Sequence, residues 1–123
     1  MARKNKPKRE SSLQPRLRIR SGEDIALGPG KVELLALVAE TGSIGEAAKR
    51  MEMSYMRAWS LIQTMNACFK QPVVETARGG HQRGGAELTE TGRRALELYQ
   101  RMEESSLKAT RTEWVAFRKL LRE

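Results

Sequence analysis

The chain has 123 residues and a mass of 13.9 kDa, room for one domain and an extra helix. Its formal charge of +8 is unevenly placed: residues 1 to 20 hold eight Lys or Arg against one acid, whereas residues 21 to 123 hold fifteen bases and fourteen acids. No long continuous apolar run occurs, no apolar segment follows the first cations, and Cys68 is the single cysteine, so no membrane span, no secretory signal, no intrachain disulfide and a cytoplasmic setting are expected.

Residues 1–12 are polar and charged and read as a disordered basic arm. Such an arm attracts polyanions, either nucleic acid or an anionic membrane surface; the plain alternative is a solvated tail that only aids solubility. "LRIR", residues 17–20, alternates apolar with cationic side chains as a short half-buried strand does. "SGEDIALGPG" reads as a loop closing at Pro29-Gly30. From Lys31 to Thr41, Val32, Leu35, Val38 and Ala39 recur at helical spacing, and Leu34 and Leu37 widen that stripe beyond one face. A helix apolar on two sides packs against two things, so Leu34 and Leu37 are expected to meet a partner subunit.

Gly42 suits the left-handed residue just past a helix end. Ser43 and Glu46 make an S-x-x-E capping box that opens a short second helix with Ile44, Ala47, Ala48 and Met51 inward. Ser54 caps a third helix from Tyr55 toward Pro72, with Ala58, Leu61, Ile62 and Met65 inward. "VVETA" and "AEL" read as two strands joined by the tip "RGGHQRGG". Thr89 caps a long helix through Leu96, Tyr99 and Met102; its pattern slips near Ser105-Ser106 and resumes with Leu107, Trp114, Phe117 and Leu121.

A helix-turn-helix needs a first helix small enough for the second to cross it closely, and residues 43–66 meet that need through Ala47 and Ala48. The outward set on the second helix is Tyr55, Met56, Arg57, Ser60, Gln63 and Thr64, with Ser43 and Ser54 at the two helix starts. Arg57 suits guanine O6 and N7, Ser60 and Gln63 can donate or accept, and Met56 or Tyr55 can touch a thymine methyl. The Gly-rich β-loop that follows is the arrangement of a wing, whose Arg78, His81, Gln82 and Arg83 would lie over a minor groove or phosphates. Glu52 stands in the turn where many such motifs have Gly, and Trp59 reads as an edge of the core. Leu107, Trp114 and Leu121, spaced by seven with Phe117 beside them, read as a dimer seam. His81 and Cys68 have no partner residues, the tip lacks a Lys-Ser or Lys-Thr pair, and no acid–base pair occurs, so no cofactor, metal or enzyme activity is expected.

"AETGSIGEAAKRMEMSYMRAWSLIQTMN" followed by "VVETARGGHQRGGAELTETGRRALELY" resembles the DNA-binding domain of the ModE family, the molybdate-responsive regulators, and more distantly the winged helix-turn-helix of LysR-type regulators. The resemblance runs from about Leu17 to about Met102; its most specific parts are Ser54, Tyr55, Ala58 and Trp59, then Met65-Asn66, and Val74 to Gly80. It implies a dimeric regulator, usually a repressor, on a palindromic operator in double-stranded DNA, with the helix from Ser54 in the groove and the hairpin as wing. Two departures stand out: the wing carries His81-Gln82-Arg83 where the family has a nearly unbroken glycine run, and only helix follows the wing, where the family has β-type molybdate domains. Molybdate sensing is therefore not transferred, and any small-molecule effector stays unidentified.

The sequence thus predicts a mainly α winged helix-turn-helix with a two-stranded wing and a long C-terminal helix: arm 1–12, DNA-binding domain 13–104, dimerisation helix 105–123. The alternative is a protein-interaction module that keeps the fold without specific DNA binding.

Overall fold

The computed structural model describes residues 9–76 and 85–122 of the chain. A hairpin comes first: β1 (Ile19–Ser21) pairs antiparallel with β2 (Asp24–Leu27), the chain reversing at Gly22 with φ 63°. The sequence suggests a loop over residues 24–27, and the structure corrects it. Four residues are too few to display a period, but Ala26 and Leu27 are buried and the strand lies against the third helix.

Helix α1 (Pro29–Thr41) starts two residues before the expected Lys31, with Pro29 in its first turn, where a missing N–H costs nothing. It ends at Gly42, φ 72°, whose N–H donates to the Val38 carbonyl at 2.8 Å. Leu34, expected to face a partner, is instead sealed in the protomer's own core at 0% exposure, between elements that close over α1 from both sides. Leu37 is half-buried.

Helix α2 (Ile44–Arg50) opens at Ser43, whose hydroxyl accepts the Glu46 N–H at 3.1 Å. Only half of the expected capping box forms, because the Ser43 N–H donates to the Thr41 hydroxyl at 3.2 Å and the Glu46 carboxylate lies 3.8 Å from Lys49. The turn after α2 closes with Met53 N–H donating to the Ala48 carbonyl and Glu52 N–H to that of Lys49, both at 3.0 Å. That pair of bonds is a Schellman motif with Glu52 at its left-handed position, φ 56°. Glutamate there costs about 1 kcal/mol relative to glycine.

Helix α3 (Tyr55–Cys68) stops four residues short of Pro72, with Phe69 already extended. Strands β3 (Val74–Thr76) and β4 (Ala86–Leu88) pair antiparallel in register Val74↔Leu88, Glu75↔Glu87 and Thr76↔Ala86. Ser43 bridges to Gly85, and Ala86 N–H donates to the Gly42 carbonyl at 3.0 Å, so the α1–α2 corner is fastened beside the two-stranded wing by one antiparallel bridge.

Helix α4 (Glu90–Ala109) runs unbroken through Ser105-Ser106, and α5 (Arg111–Arg118) follows it across Thr110. The apolar pattern slips at Ser105-Ser106, but the helix itself continues to Ala109. The core joins Leu35, Val38, Ala47, Ala58, Ile62 and Met65 of α1–α3 to Val73, Leu88 and Tyr99. Tyr99 is fully buried, and its hydroxyl donates to the Leu17 carbonyl at 2.6 Å, tying α4 to the chain entering the first hairpin. Burial pushes the Tyr99 hydroxyl's pKa up, with Glu103 adding to the rise, so it stays protonated and keeps this donor.

Candidate nucleic-acid interface

The site is built on α3. Ser54 caps it by accepting the Arg57 N–H at 3.1 Å, and Ala58, Ile62 and Met65 bury one face. The opposite side carries three stripes. Met56, Ser60 and Gln63 lie directly away from the core and are exposed. Arg57 and Thr64 flank them on one side with Leu61; Tyr55 and Trp59 flank them on the other with Asn66.

The expected α3 residues are thus spread over the outer face and both flanks of the helix, and their exposure differs. Met56 is 66% exposed and Tyr55 46%, whereas Thr64 is half-buried and spends its hydroxyl hydrogen on the Ser60 carbonyl at 3.1 Å. The Ser43 and Ser54 oxygens accept as helix caps, and each hydroxyl keeps its own hydrogen to donate. Trp59, expected at the core edge, is corrected to a surface position: it is 40% exposed and takes no part in the core. Arg57 forms no ion pair with any described residue, so its guanidinium is available.

The wing is aimed by contacts the sequence reading passes over. The Asn66 side chain accepts the N–H groups of Val73 and Val74 at 2.8 and 3.2 Å and donates to the Val74 carbonyl at 3.2 Å. Thr89, the cap of α4, also donates its hydroxyl to the Pro72 carbonyl at 2.6 Å, and its N–H to that of Val73 at 3.0 Å. Gly92 packs directly on the Val73 backbone. A glycine inside a helix is the signal that marks such an approach; Asn66 offers only its place near a helix end. Arg78, His81, Gln82 and Arg83 lie outside the described residues, so the structure adds nothing to their expected wing contacts.

The expected seam is altered. Leu107, Trp114 and Leu121 no longer share one continuous helix, because α4 ends at Ala109 and α5 at Arg118, leaving Leu121 beyond both. Leu107 borders a groove with Leu13–Pro15 of its own chain, and Trp114 stacks on Phe117 with ring centres 6.5 Å apart. The C-terminal end of α5 and the residues after it nevertheless leave Phe117 56%, Leu120 80% and Leu121 41% exposed. Among the described residues no group of His, Cys, Asp or Glu is arranged to hold a metal, and no helix is long and apolar enough to cross a membrane.

Comparison with known proteins agrees with this geometry. Residues 30–93, more than half of the chain, match the model of the bacterial regulatory helix-turn-helix proteins of the lysR family. The chain is 41% identical over 78 residues to the molybdenum transport protein ModE of Azotobacter vinelandii, covering 63% of this chain and 29% of that protein. It is 40% identical over 81 residues to the DNA-binding transcriptional dual regulator ModE of Escherichia coli K12, covering 66% and 31%. The chain therefore spans about a third of the length of the curated relatives it matches. Among solved structures, the DNA-binding domain of CbnR in complex with DNA superposes with a TM-score of 0.54 at 25% identity, covering 71% of this chain and 94% of that one.

Proposed function

The chain belongs to the lysR family of bacterial regulatory helix-turn-helix proteins, and from that premise we propose that it is a sequence-specific regulator that reads duplex DNA through α3. The observation that carries this is the outer surface of α3, where Arg57, Ser60 and Gln63 stand exposed on a capped helix beside a wing. Arg78, His81, Gln82 and Arg83 would meet the neighbouring minor groove or phosphates, and the arm of residues 1–12 would add affinity without specificity, since cations without fixed geometry read charge and not bases.

Arg57→Ala tests the reading. The expected loss is about 1–3 kcal/mol on the preferred site, with relaxed preference at one base pair. Equal weakening on every sequence would make Arg57 a phosphate contact. No change at all would remove α3 from the interface and favour a protein-interaction module.

The reading extends to a homodimer on a two-fold symmetric operator. Its support is the apolar surface that α4 and α5 leave uncovered in one chain: Val115, Phe117, Leu120 and Leu121 near the C-terminus, with Leu37 of α1 as a further contact. Pairing through it would hold two α3 helices about 34 Å apart, one DNA turn. A dimer seated in this way occludes its site and needs no second surface to repress, so repression is the simpler outcome. Sedimentation of the wild type beside a Trp114→Glu, Leu121→Glu double variant checks this at micromolar concentration. The wild type is expected at twice 13.9 kDa and the variant at 13.9 kDa. Two monomers would end the dimer and the palindromic operator together.

A further inference from the structure

A groove of about 530 Å³ runs along the Arg57 flank of α3, between that helix, the β1–β2 hairpin and the start of α1. Four cations line it: Arg16 and Arg18 from the chain entering β1, Lys31 from α1, and Arg57 from α3, against Glu23 and Asp24 at the hairpin turn. Three of them, Arg16, Arg18 and Arg57, form no ion pair with any described residue. Most cations of α2 and α4 behave differently: Lys49, Arg50, Arg93, Arg94 and Arg101 each face a glutamate on their own helix or a neighbouring one, and Lys108 in the last turn of α4 is the exception. Lys31 is anchored by donating to the Ile25 carbonyl, and the Arg18 stem lies against Gly28.

The position matters as much as the charge. Arg57 and Asn66 are nine residues apart, about two and a half helical turns, so they project from opposite sides of α3. Asn66 holds the start of the wing. The hairpin and its cations therefore bracket α3 on the flank that the wing leaves open. A helix seated in the major groove has a sugar–phosphate strand on each side, and unpaired guanidiniums are suited to phosphate oxygens.

We propose that the β1–β2 hairpin is a second clamp: Arg16 and Arg18, with Lys31 beside them, grip the DNA backbone on the side of the recognition helix opposite the wing. This rests on α3 as the groove helix. It extends the interface to residues that precede the stretch matched by the family model, residues 30–93. The contacts are to phosphates, so they strengthen binding and orient the helix without selecting bases.

The test uses the full chain and a duplex selected by the wild type from a random pool. Arg16→Ala, Arg18→Ala removes two exposed cations, and the slope of log affinity against log salt is expected to flatten by about 2. Affinity should fall by a similar factor on selected and scrambled duplexes. Ethylated phosphates that block the wild type on the hairpin flank should no longer block the variant. Arg16→Lys, Arg18→Lys should keep the slope, since it keeps the charge. If selection succeeds but the alanine variant retains the wild-type slope and interference pattern, the clamp is wrong and the α3 reading survives. If the wild type selects no sequence, both fall. If inorganic phosphate raises the Tm of the wild type and not of the alanine variant while the DNA slope stays unchanged, the groove holds a free anion and the clamp is again overturned.

Discussion

Gly92→Ala is expected to destabilise the domain by about 3 kcal/mol, against the helix propensity that by itself favours alanine by about 1 kcal/mol. A Cβ built at Gly92 would lie 2.1 Å from the Val73 carbonyl oxygen and 3.0 Å from its carbon. Those are backbone atoms, so no rotamer change relieves the contact. The same carbonyl accepts the Thr89 N–H at 3.0 Å, and moving it away from α4 would sacrifice the bond that fastens β3 to the helix start. Because Val73 opens the wing, the damage should reach function as well as stability. Urea denaturation checks it: the midpoint should fall with little change in m. A variant as stable as the wild type would mean that α4 and Val73 do not pack as described.

Asn66→Ala is expected to cost about 2–3 kcal/mol, because it strands two backbone donors at once. Val73 and Val74 are 0% and 3% exposed, and their N–H groups both bond to the Asn66 side-chain oxygen. Water has little access to replace it. Asn66→Asp separates this account from simple loss of packing: the carboxylate still accepts both N–H groups, but its second oxygen now opposes the Val74 carbonyl in place of a donor. It should therefore recover part of the stability, by keeping both backbone donors satisfied. Amide exchange at Val73 and Val74 should quicken in the alanine variant and stay slow in the aspartate one. With the wing loosened, affinity for DNA should drop while base preference, which the proposed function assigns to α3, is retained. Equal stability of Asn66→Ala and the wild type would remove this side chain from the wing's support.

How much of this was legible before folding depends on how local each cause is. The starts of α2, α3 and α4 are marked by Ser43, Ser54 and Thr89, and in all three the side chain accepts the N–H three residues on. Gly42 likewise marks the end of α1. These devices act within one turn, so residue type and spacing suffice to find them. The inward stripe of α3 is equally readable, because its period is set by the helix itself.

Other features depend on neighbours distant in sequence. Strand β2 exists because residues 19–21 and α3 lie against it; its four residues carry no period of their own. Leu34 and Trp59 illustrate the same limit from opposite directions. Both are large apolar residues on helices, yet Leu34 is enclosed because several elements close over α1, and Trp59 is left 40% exposed because that side of α3 is covered only in part. Periodicity identifies a stripe but not what covers it.

Composition, caps and helical period by themselves determined a helix-turn-helix followed by a hairpin and a long helix, since each is a property of a few adjacent residues. The tertiary structure alone decided that Asn66 and Gly92 aim the wing, that Tyr99 ties the N-terminal segment to α4, and that the cations of the first hairpin stand beside α3. Those relations join residues that are neighbours only after the chain has folded. Their energies come from buried donors and excluded volume, which no single segment possesses.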